Sequence, residues 1–204
     1  MPSVGAIVAA AGTGSRLGRG SKALVRLNGK TTLARVLELF LALDEVDRIV
    51  VVGPPSRLES AEREVAALGD CDFVLVHDAA RPLATATLVR RVLAAAMETG
   101  AAFPAISPRD AVKRVEGNRL VESLDRSLIV LAQTPQGFAY DLLARAHREA
   151  ADAGLVGDDD AQLVAATGHA VMVVPGEPAN LKLTTPEDME VVEALIREHE
   201  TAAR

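Results

Sequence analysis

The stretch from Ala6 to Leu24, Ala-Ile-Val-Ala-Ala-Ala-Gly-Thr-Gly-Ser-Arg-Leu-Gly-Arg-Gly-Ser-Lys-Ala-Leu, restricts what this chain can become more than any other. The apolar run from Val4 to Ala10 predicts a strand buried on both faces, as in a parallel sheet. Gly12-Thr13-Gly14 stops it, because small residues let the backbone turn tightly and leave its N–H groups uncovered. Such N–H groups form a concave anion site, strengthened by nearby positive side chains. Arg16, Arg19 and Lys22 follow within eight residues of Gly14. A polyphosphate is the ligand that suits this combination; the plainer alternative is a glycine-rich βα loop with solvated charges. Two commoner phosphate loops are excluded. The dinucleotide fingerprint needs glycine where Leu17 stands, and a Walker A loop ending at Gly29-Lys30-Thr31 would need glycine at Leu24. Asn28-Gly29 reads as a turn instead.

Composition narrows the partners. A chain of 204 residues suits one α/β domain, and such a domain buries roughly 70% of its unfolded surface. Hydrophobic residues make up 49% but aromatics only 2%, so the core must be built from Ala, Val and Leu. A formal net charge of −6 speaks against a general nucleic-acid binder, so any phosphate site is a local positive pocket. Cys71 is the single cysteine, which excludes an internal disulfide and fits a reducing cytoplasm. It reads as a small buried hydrophobe. The N-terminus enters a strand without a basic start or cleavage site. No apolar run reaches the length of a membrane span, so a soluble cytoplasmic protein is expected.

Along the chain, apolar spacing predicts a helix from Thr32 to Leu43 and a strand from Arg48 to Val52, ended by Gly53-Pro54-Pro55. A helix from Glu59 to Leu68 follows, then a strand from Phe73 to Val76 that delivers His77 and Asp78 at its carboxyl end. Ligands of open parallel sheets collect at such ends, and Gly12 to Gly14 would lie at the same edge. Thr87 to Met97 reads as a helix and Ala101 to Ala105 as a strand. Ala111 to Val115 and Arg119 to Leu124 then read as a hairpin turning at Gly117-Asn118, outside the main sheet. Leu128 to Gln133 is expected as a returning core strand, Tyr140 to Ala153 as a helix, and Asp158-Asp159-Asp160 as the lead into a helix ending at Thr167. Strands are expected at Val171 to Val174 and Leu181 to Leu183. Thr185 as N-cap with Pro186 at the first helical position opens a last helix to about Glu198. The expected layout is one domain over 1–204, a single doubly wound, mostly parallel α/β sheet with a hairpin arm at about 108–127.

Several segments together carry a family resemblance. Ala10-Ala11-Gly12-Thr13-Gly14-Ser15-Arg16, with Lys22 following, is similar to the opening motif of Rossmann-like nucleotidyltransferases. His77-Asp78-Ala79-Ala80-Arg81-Pro82, Asp125-Arg126, Thr134-Pro135-Gln136-Gly137-Phe138 and Asn180-Leu181-Lys182-Leu183-Thr184 narrow it. In this order they resemble the 2-C-methyl-D-erythritol 4-phosphate cytidylyltransferase family over nearly the whole chain. The resemblance implies transfer of a cytidylyl group from CTP to 2-C-methyl-D-erythritol 4-phosphate in isoprenoid precursor synthesis, with magnesium as the divalent cation. CTP and the polyol phosphate are the implied partners. A homodimer whose hairpins cross between chains is expected on physical grounds, since a two-strand excursion is marginal alone in water and Ala111, Val112, Val115, Leu120, Val121 and Leu124 offer it apolar surface to bury.

The reaction brings two strongly anionic reactants together, so it calls for fixed cations more than for an acid–base pair. By resemblance, Arg16 and Lys22 hold the triphosphate, Lys182 stands beside the α-phosphate, and Arg126 holds the acceptor phosphate. A planar guanidinium suits the last role, although Arg126 could equally pair with Asp125. Ala10, Ala11, Gly12, Thr13 and Gly14 line the nucleotide. Asp78 contacts the nucleotide or its metal, a carboxylate beside a triphosphate being repulsive without a hard cation between them; its other reading is a cap on the turn before Arg81-Pro82. His77 reads as a packing and hydrogen-bonding residue. The four histidines show no metal-ligand spacing. Asp159 reads either as an acceptor of a polyol hydroxyl or as a helix N-terminal charge.

The chain departs from the family pattern at Ser21 and Ala23 around Lys22, at Ala111 in the hairpin and at Asp158. The largest departure is a shortening between Val52 and Phe73, where the family carries its base-reading segment. Either Gly53 to Ala61 preserves that segment, with Arg57 and Ser60 at the base, or it is absent. Alternative readings are a cytidylyltransferase for another acceptor, such as ribitol 5-phosphate, and a catalytically impaired nucleotide-binding homologue.

Overall fold

The computed structural model describes residues 2–12, 21–53 and 67–202. Thr13, Gly14, Arg16, Arg19, Arg57 and Ser60 lie outside the described residues, as does nearly all of the helix expected from Glu59 to Leu68.

The chain opens with β1 (Val4–Ala9), buried on both faces as its unbroken apolar run requires. Past the loop, a 3-10 turn (Lys22–Leu24) leads into a small hairpin of β2 (Arg26–Leu27) and β3 (Lys30–Thr31). Asn28 and Gly29 make the hairpin turn at φ 47° and 83°, the left-handed conformation that this residue pair tolerates best. Thr31 caps α1 (Thr32–Leu41) by accepting from the Ala34 N–H at 3.1 Å. Then come β4 (Arg48–Val52), β5 (Phe73–Asp78), α2 (Ala86–Thr99) and β6 (Ala101–Ile106). The hairpin of β7 (Lys113–Glu116) and β8 (Arg119–Ser123) forms its own two-stranded sheet, with every residue exposed. Short β9 (Leu131–Ala132) and β10 (Gln136–Ala139) return to the main sheet. The rest is α3 (Tyr140–Ala153), α4 (Asp160–Ala166), β11 (Met172–Pro175) and α5 (Pro186–Ala202).

The main sheet runs β11-β6-β10-β5-β1-β4, with β9 also paired to β6. β4, β1 and β5 are parallel neighbours, as are β6 and β11; β10 is antiparallel to both β5 and β6. Alternate residues of β1 feed opposite layers. Val4, Ala6 and Val8 pack with Val36 and Phe40 of α1 and Val89 and Val92 of α2. Ile7 packs with Phe138, Leu143 of α3 and Val164 of α4. A third cluster seats Val192 and Ile196 of α5 on Val25, Leu27, Leu83 and Leu183. These clusters are almost wholly aliphatic, as the scarcity of aromatics demands. Cys71 packs at the edge of the second cluster and is only partly buried.

Two expected strands are corrected. Leu128 to Gln133 is not a core strand: Arg126–Leu128 is a 3-10 turn, Leu128 is 84% exposed, and only Leu131 and Ala132 pair with β6. The core strand of this region is β10, whose Gln136, Gly137 and Phe138 are buried between β5 and β6. Apolar periodicity marked the wrong segment because Leu128, Val130 and Leu131 face solvent while a Gln-Gly pair lies inside. Leu181 to Leu183 is likewise not a strand, since its backbone groups bond to neighbouring loops, as when the Leu183 N–H donates to the Ala80 carbonyl at 2.8 Å. No helix among the described residues is long and apolar enough to cross a membrane.

Gly176 ends β11 under tight constraint. Its N–H donates to the Ala105 carbonyl at 2.8 Å, and a Cβ there would stand 2.6 Å from Gln133 Oε1 and 2.9 Å from the Ala105 carbonyl group. Backbone cannot yield as a flexible side chain can, so Gly176→Ala should destabilise the fold by about 1–3 kcal/mol. Urea unfolding of the variant beside the wild-type protein measures it.

Candidate active site

Register gathers the candidate residues. Ala9 of β1 lies opposite Asp78 of β5 on one side and Val52 of β4 on the other. Ala10, Ala11 and Gly12 therefore leave the sheet beside Asp78, held by the Ala10 N–H on the Val52 carbonyl at 2.7 Å. This is the carboxyl edge of the parallel strands, where open α/β sheets bind ligands.

Lys22 is tied to that exit. Its N–H donates to the Gly12 carbonyl at 3.1 Å and its carbonyl accepts from Thr32 Oγ1 at 2.7 Å. Its Nζ reaches across to donate to the Leu183 carbonyl at 2.8 Å. From the same loop, Lys182 Nζ pairs with Asp78 Oδ2 at 2.7 Å, and Arg81 Nε lies 3.8 Å from that oxygen. Three cations, Lys22, Lys182 and Arg81, and one carboxylate, from three distant parts of the chain, thus gather beside the Ala10 to Gly12 exit of β1. Burial pushes the Asp78 carboxyl up, but Lys182, with Arg81 and His77 behind it, outweighs burial and holds it below the usual aspartate value. Among the described residues the carboxylate accepts from no N–H of the following turn; the Asp78 main-chain carbonyl closes it, accepting from the Arg81 N–H at 3.0 Å.

His77 is fully buried, edge-on to Phe40 at 5.6 Å between ring centroids. Its Nε2 lies 3.1 Å from the Arg81 carbonyl, which can only accept, so Nε2 carries the proton and Nδ1 accepts from Thr134 Oγ1 at 3.0 Å. Burial lowers its pKa to about 4, outweighing the neighbouring Asp78. A neutral ring with both nitrogens engaged is a packing residue, as its sequence context indicates.

The remaining candidates stand apart from this cluster. Arg126 begins the 3-10 turn after the hairpin, and its Nη1 donates to the Arg109 carbonyl at 2.9 Å. Among the described residues it pairs with no carboxylate; Asp125 instead accepts from the Ser127 N–H and hydroxyl. Asp159 is the N-cap of α4: Oδ1 accepts from the Gln162 N–H at 2.9 Å and Oδ2 from Gln136 Nε2 at 2.8 Å. Both of its oxygens retain a lone pair, so capping does not preclude a further hydroxyl donor. Among the described residues no group of three or more His, Cys, Asp or Glu could hold a metal ion unaided.

Sequence reasoning passed over Arg81, Gln133, Thr134, Gln136 and Asn180 as site residues. Gln133, Gln136 and Asn180 are buried amides, and Arg81 donates to the Asn180 carbonyl at 2.8 Å and the Ala132 carbonyl at 3.2 Å. Their signal was available: long polar side chains within otherwise apolar motif segments, which fold inward only when other loops satisfy them.

Comparison with known proteins decides the family. The model of the 2-C-methyl-D-erythritol 4-phosphate cytidylyltransferase family matches residues 4–68 and 56–198. The chain belongs to this family. The cytidylyltransferase of Thermus thermophilus is 39% identical over 208 residues, covering 95% of this chain and 97% of that protein. Its counterpart in Geobacillus thermodenitrificans is 34% identical over 218 residues, with 94% and 96% covered. A bifunctional IspD/IspF enzyme of Anaeromyxobacter dehalogenans is 40% identical over 217 residues, 93% of this chain, which spans only 56% of that longer protein. A crystal structure of the Thermus thermophilus cytidylyltransferase superposes with a TM-score of 0.80 at 36% identity, over 94% of this chain and 98% of that one. The two stretches matched by the family model overlap at 56–68, so the same residues fit either side of the shortened region.

The buried His77 makes stability depend on pH. Its folded pKa, about 4, lies below the ordinary value of 6.5, so below pH 6.5 the unfolded chain takes up a proton that the folded one refuses. Its stabilising contribution is full above that value and falls away as the pH drops toward 4. Between pH 7 and 5 the loss should be roughly 2 kcal/mol. Urea unfolding across this range should show that slope in the wild-type protein, and His77→Phe should remove it.

Proposed function

We propose that this chain transfers a cytidylyl group from CTP to 2-C-methyl-D-erythritol 4-phosphate, releasing pyrophosphate. The observation that carries the reading is the convergence of Lys22, Lys182 and Asp78 beside the Ala10 to Gly12 exit of β1, in a chain of this family.

An oxygen of the acceptor phosphate attacks the α-phosphorus of CTP, and the bond from that phosphorus to the bridging oxygen breaks as pyrophosphate departs. Charge gathers on the non-bridging oxygens, and preorganised donors stabilise it without reorganising. In this reading the backbone of Ala10, Ala11, Gly12, Thr13 and Gly14 cradles the triphosphate, with Arg16 and Lys22 supplying charge. Lys182 leaves Asp78 to meet the α-phosphate. Ser60 contacts the base if the base-reading segment is the one preserved, and Asp159 accepts a hydrogen bond from the polyol.

Magnesium fits this site only as a partner of the nucleotide. One carboxylate, Asp78, is too little for a protein-built cage, but Mg²⁺ is ordinarily held by one or two carboxylates together with substrate phosphates. Bound there, the ion would neutralise phosphate charge and orient the leaving group. The lone cysteine accords with action in the cytoplasm.

A homodimer completes the reading. Hairpin β7–β8 exposes Val115 and Leu120 above half of their surface, and Leu128 follows it at 84%. An isolated two-stranded excursion is marginal in water, and a twofold pairing would bury both hairpins at once. Arg126 would then enter the partner's site and hold the acceptor phosphate.

Pyrophosphate release in the presence of magnesium, across CTP, UTP and a panel that includes methylerythritol phosphate and ribitol 5-phosphate, tests the reading. CTP with methylerythritol phosphate should be the preferred pair, and Lys22→Ala or Arg16→Ala should lower kcat by about 10²–10³. Losses below about tenfold in both variants would remove the triphosphate cradle.

Sharing of sites between chains is tested by mixing two inactive variants, Lys22→Ala and Arg126→Ala, and letting subunits exchange. A mixed dimer then holds one site with both defects and one intact. Recovery to about a quarter of wild-type activity is expected for statistical exchange of closed twofold dimers. No recovery despite demonstrated exchange would return Arg126 to its own chain's site, or exclude it from any.

A further inference from the structure

Asn180 is fully buried two positions before Lys182, and its contacts concern the loop more than the side chain itself. Its Nδ2 donates to the Thr134 carbonyl at 2.8 Å and lies 3.5 Å from Gln133 Oε1. Its main-chain carbonyl accepts from Arg81 Nη1 at 2.8 Å and from Gln133 Nε2 at 3.4 Å. Gln133 grips the same loop at its start, donating from Nε2 to the Glu177 carbonyl at 2.8 Å and accepting the Glu177 N–H at 3.0 Å. Two buried amides therefore clasp residues 177–180 to the Gln133-Thr134 turn. Among the described residues Asn180 Oδ1 has no partner. An unsatisfied buried acceptor is costly, so satisfying its own amide is not what the side chain accomplishes there.

The clasped loop touches both lysines. It carries Lys182, whose Nζ reaches Asp78 at 2.7 Å, and its Leu183 carbonyl receives Lys22 Nζ at 2.8 Å. The Leu183 N–H is anchored in turn on Ala80, two residues past Asp78. A shift of this loop displaces the ammonium it carries and an acceptor of the other. Displacements of about 1 Å suffice to slow a reaction that depends on alignment.

We propose that Asn180 is a positioning residue that sets both Lys22 and Lys182 through the 177–183 loop. The proposal rests on the reading of these lysines as the cations that meet the nucleotide. It makes Asn180 and Gln133 two parts of one device, although neither would touch a substrate.

The test uses two nearly isosteric changes, Asn180→Asp, which removes the donor to Thr134, and Gln133→Glu, which removes the donor to Glu177. Competitive acetylation of the nucleotide-free protein, read by mass spectrometry, reports each lysine. Lys30 of β3, which pairs with Glu38 of α1 at 2.8 Å and is bonded to neither the loop nor Asp78, is the internal control. Lys182 and Lys22 should both gain at least about threefold in reactivity relative to Lys30, and kcat should fall at least about tenfold with a smaller rise in KM for CTP. Unchanged labelling of Lys182 and Lys22 in a folded variant overturns the proposal, as does an equal rise at Lys30, which would mean general loosening. If Asn180→Asp does not fold, Gln133→Glu decides by the same readings. Labelling is independent of turnover: if the wild-type protein transfers no cytidylyl group while the labels shift as expected, the functional reading fails and the positioning stands.

Discussion

The pairing of β1 with β5 is the constraint on which the site depends. Because Ala9 and Asp78 are partners across two parallel strands, a turn leaving β1 must start beside that carboxylate. The pairing also explains the apolar character of β1: a strand with neighbours on both sides and helices on both faces has no polar surface to offer. Alternate residues supply two layers of core, and the layers hold the strand ends level.

Around that edge, polar groups do what apolar packing cannot. Hydrophobic contacts are non-directional and would leave several loop positions nearly equal in free energy. Hydrogen bonds from Gln133, Asn180 and Arg81 to main-chain carbonyls select one of them. His77 belongs to the same frame, since a neutral imidazole joins the Thr134 hydroxyl to the Arg81 carbonyl within the core. Stability and alignment are thus coupled: what holds the Asp78 and Lys182 segments together also limits where their charges can go.

The Asp78–Lys182 pair has a double character. It neutralises a partly buried carboxylate in the nucleotide-free protein, which burial alone would disfavour. It also stores a cation where a triphosphate would need one. Lys22 on the Leu183 carbonyl and Lys182 on the Asp78 carboxylate are contacts that a stronger anion could displace. The exposed β7–β8 hairpin is the opposite case, with little internal packing and apolar side chains in water.

Much of this was legible in the sequence. The buried apolar run of β1, the Asn28-Gly29 hairpin turn, the Thr185-Pro186 helix start and the hairpin around Gly117-Asn118 are local signals, set by backbone sterics within a few residues. The motif segments likewise named Lys22, Lys182 and Asp78. What periodicity could not supply was the inward fold of Gln136 and Phe138 in place of the Leu128 to Leu131 run. Nor could it reveal the loop at Asn180 to Leu183, whose hydrogen bonds run to Ala80 and Arg81 roughly a hundred positions away. Local sequence determines which conformations a segment prefers. Which segment enters the core, and which lysine meets which oxygen, was decided only when distant chain segments competed for the same buried partners.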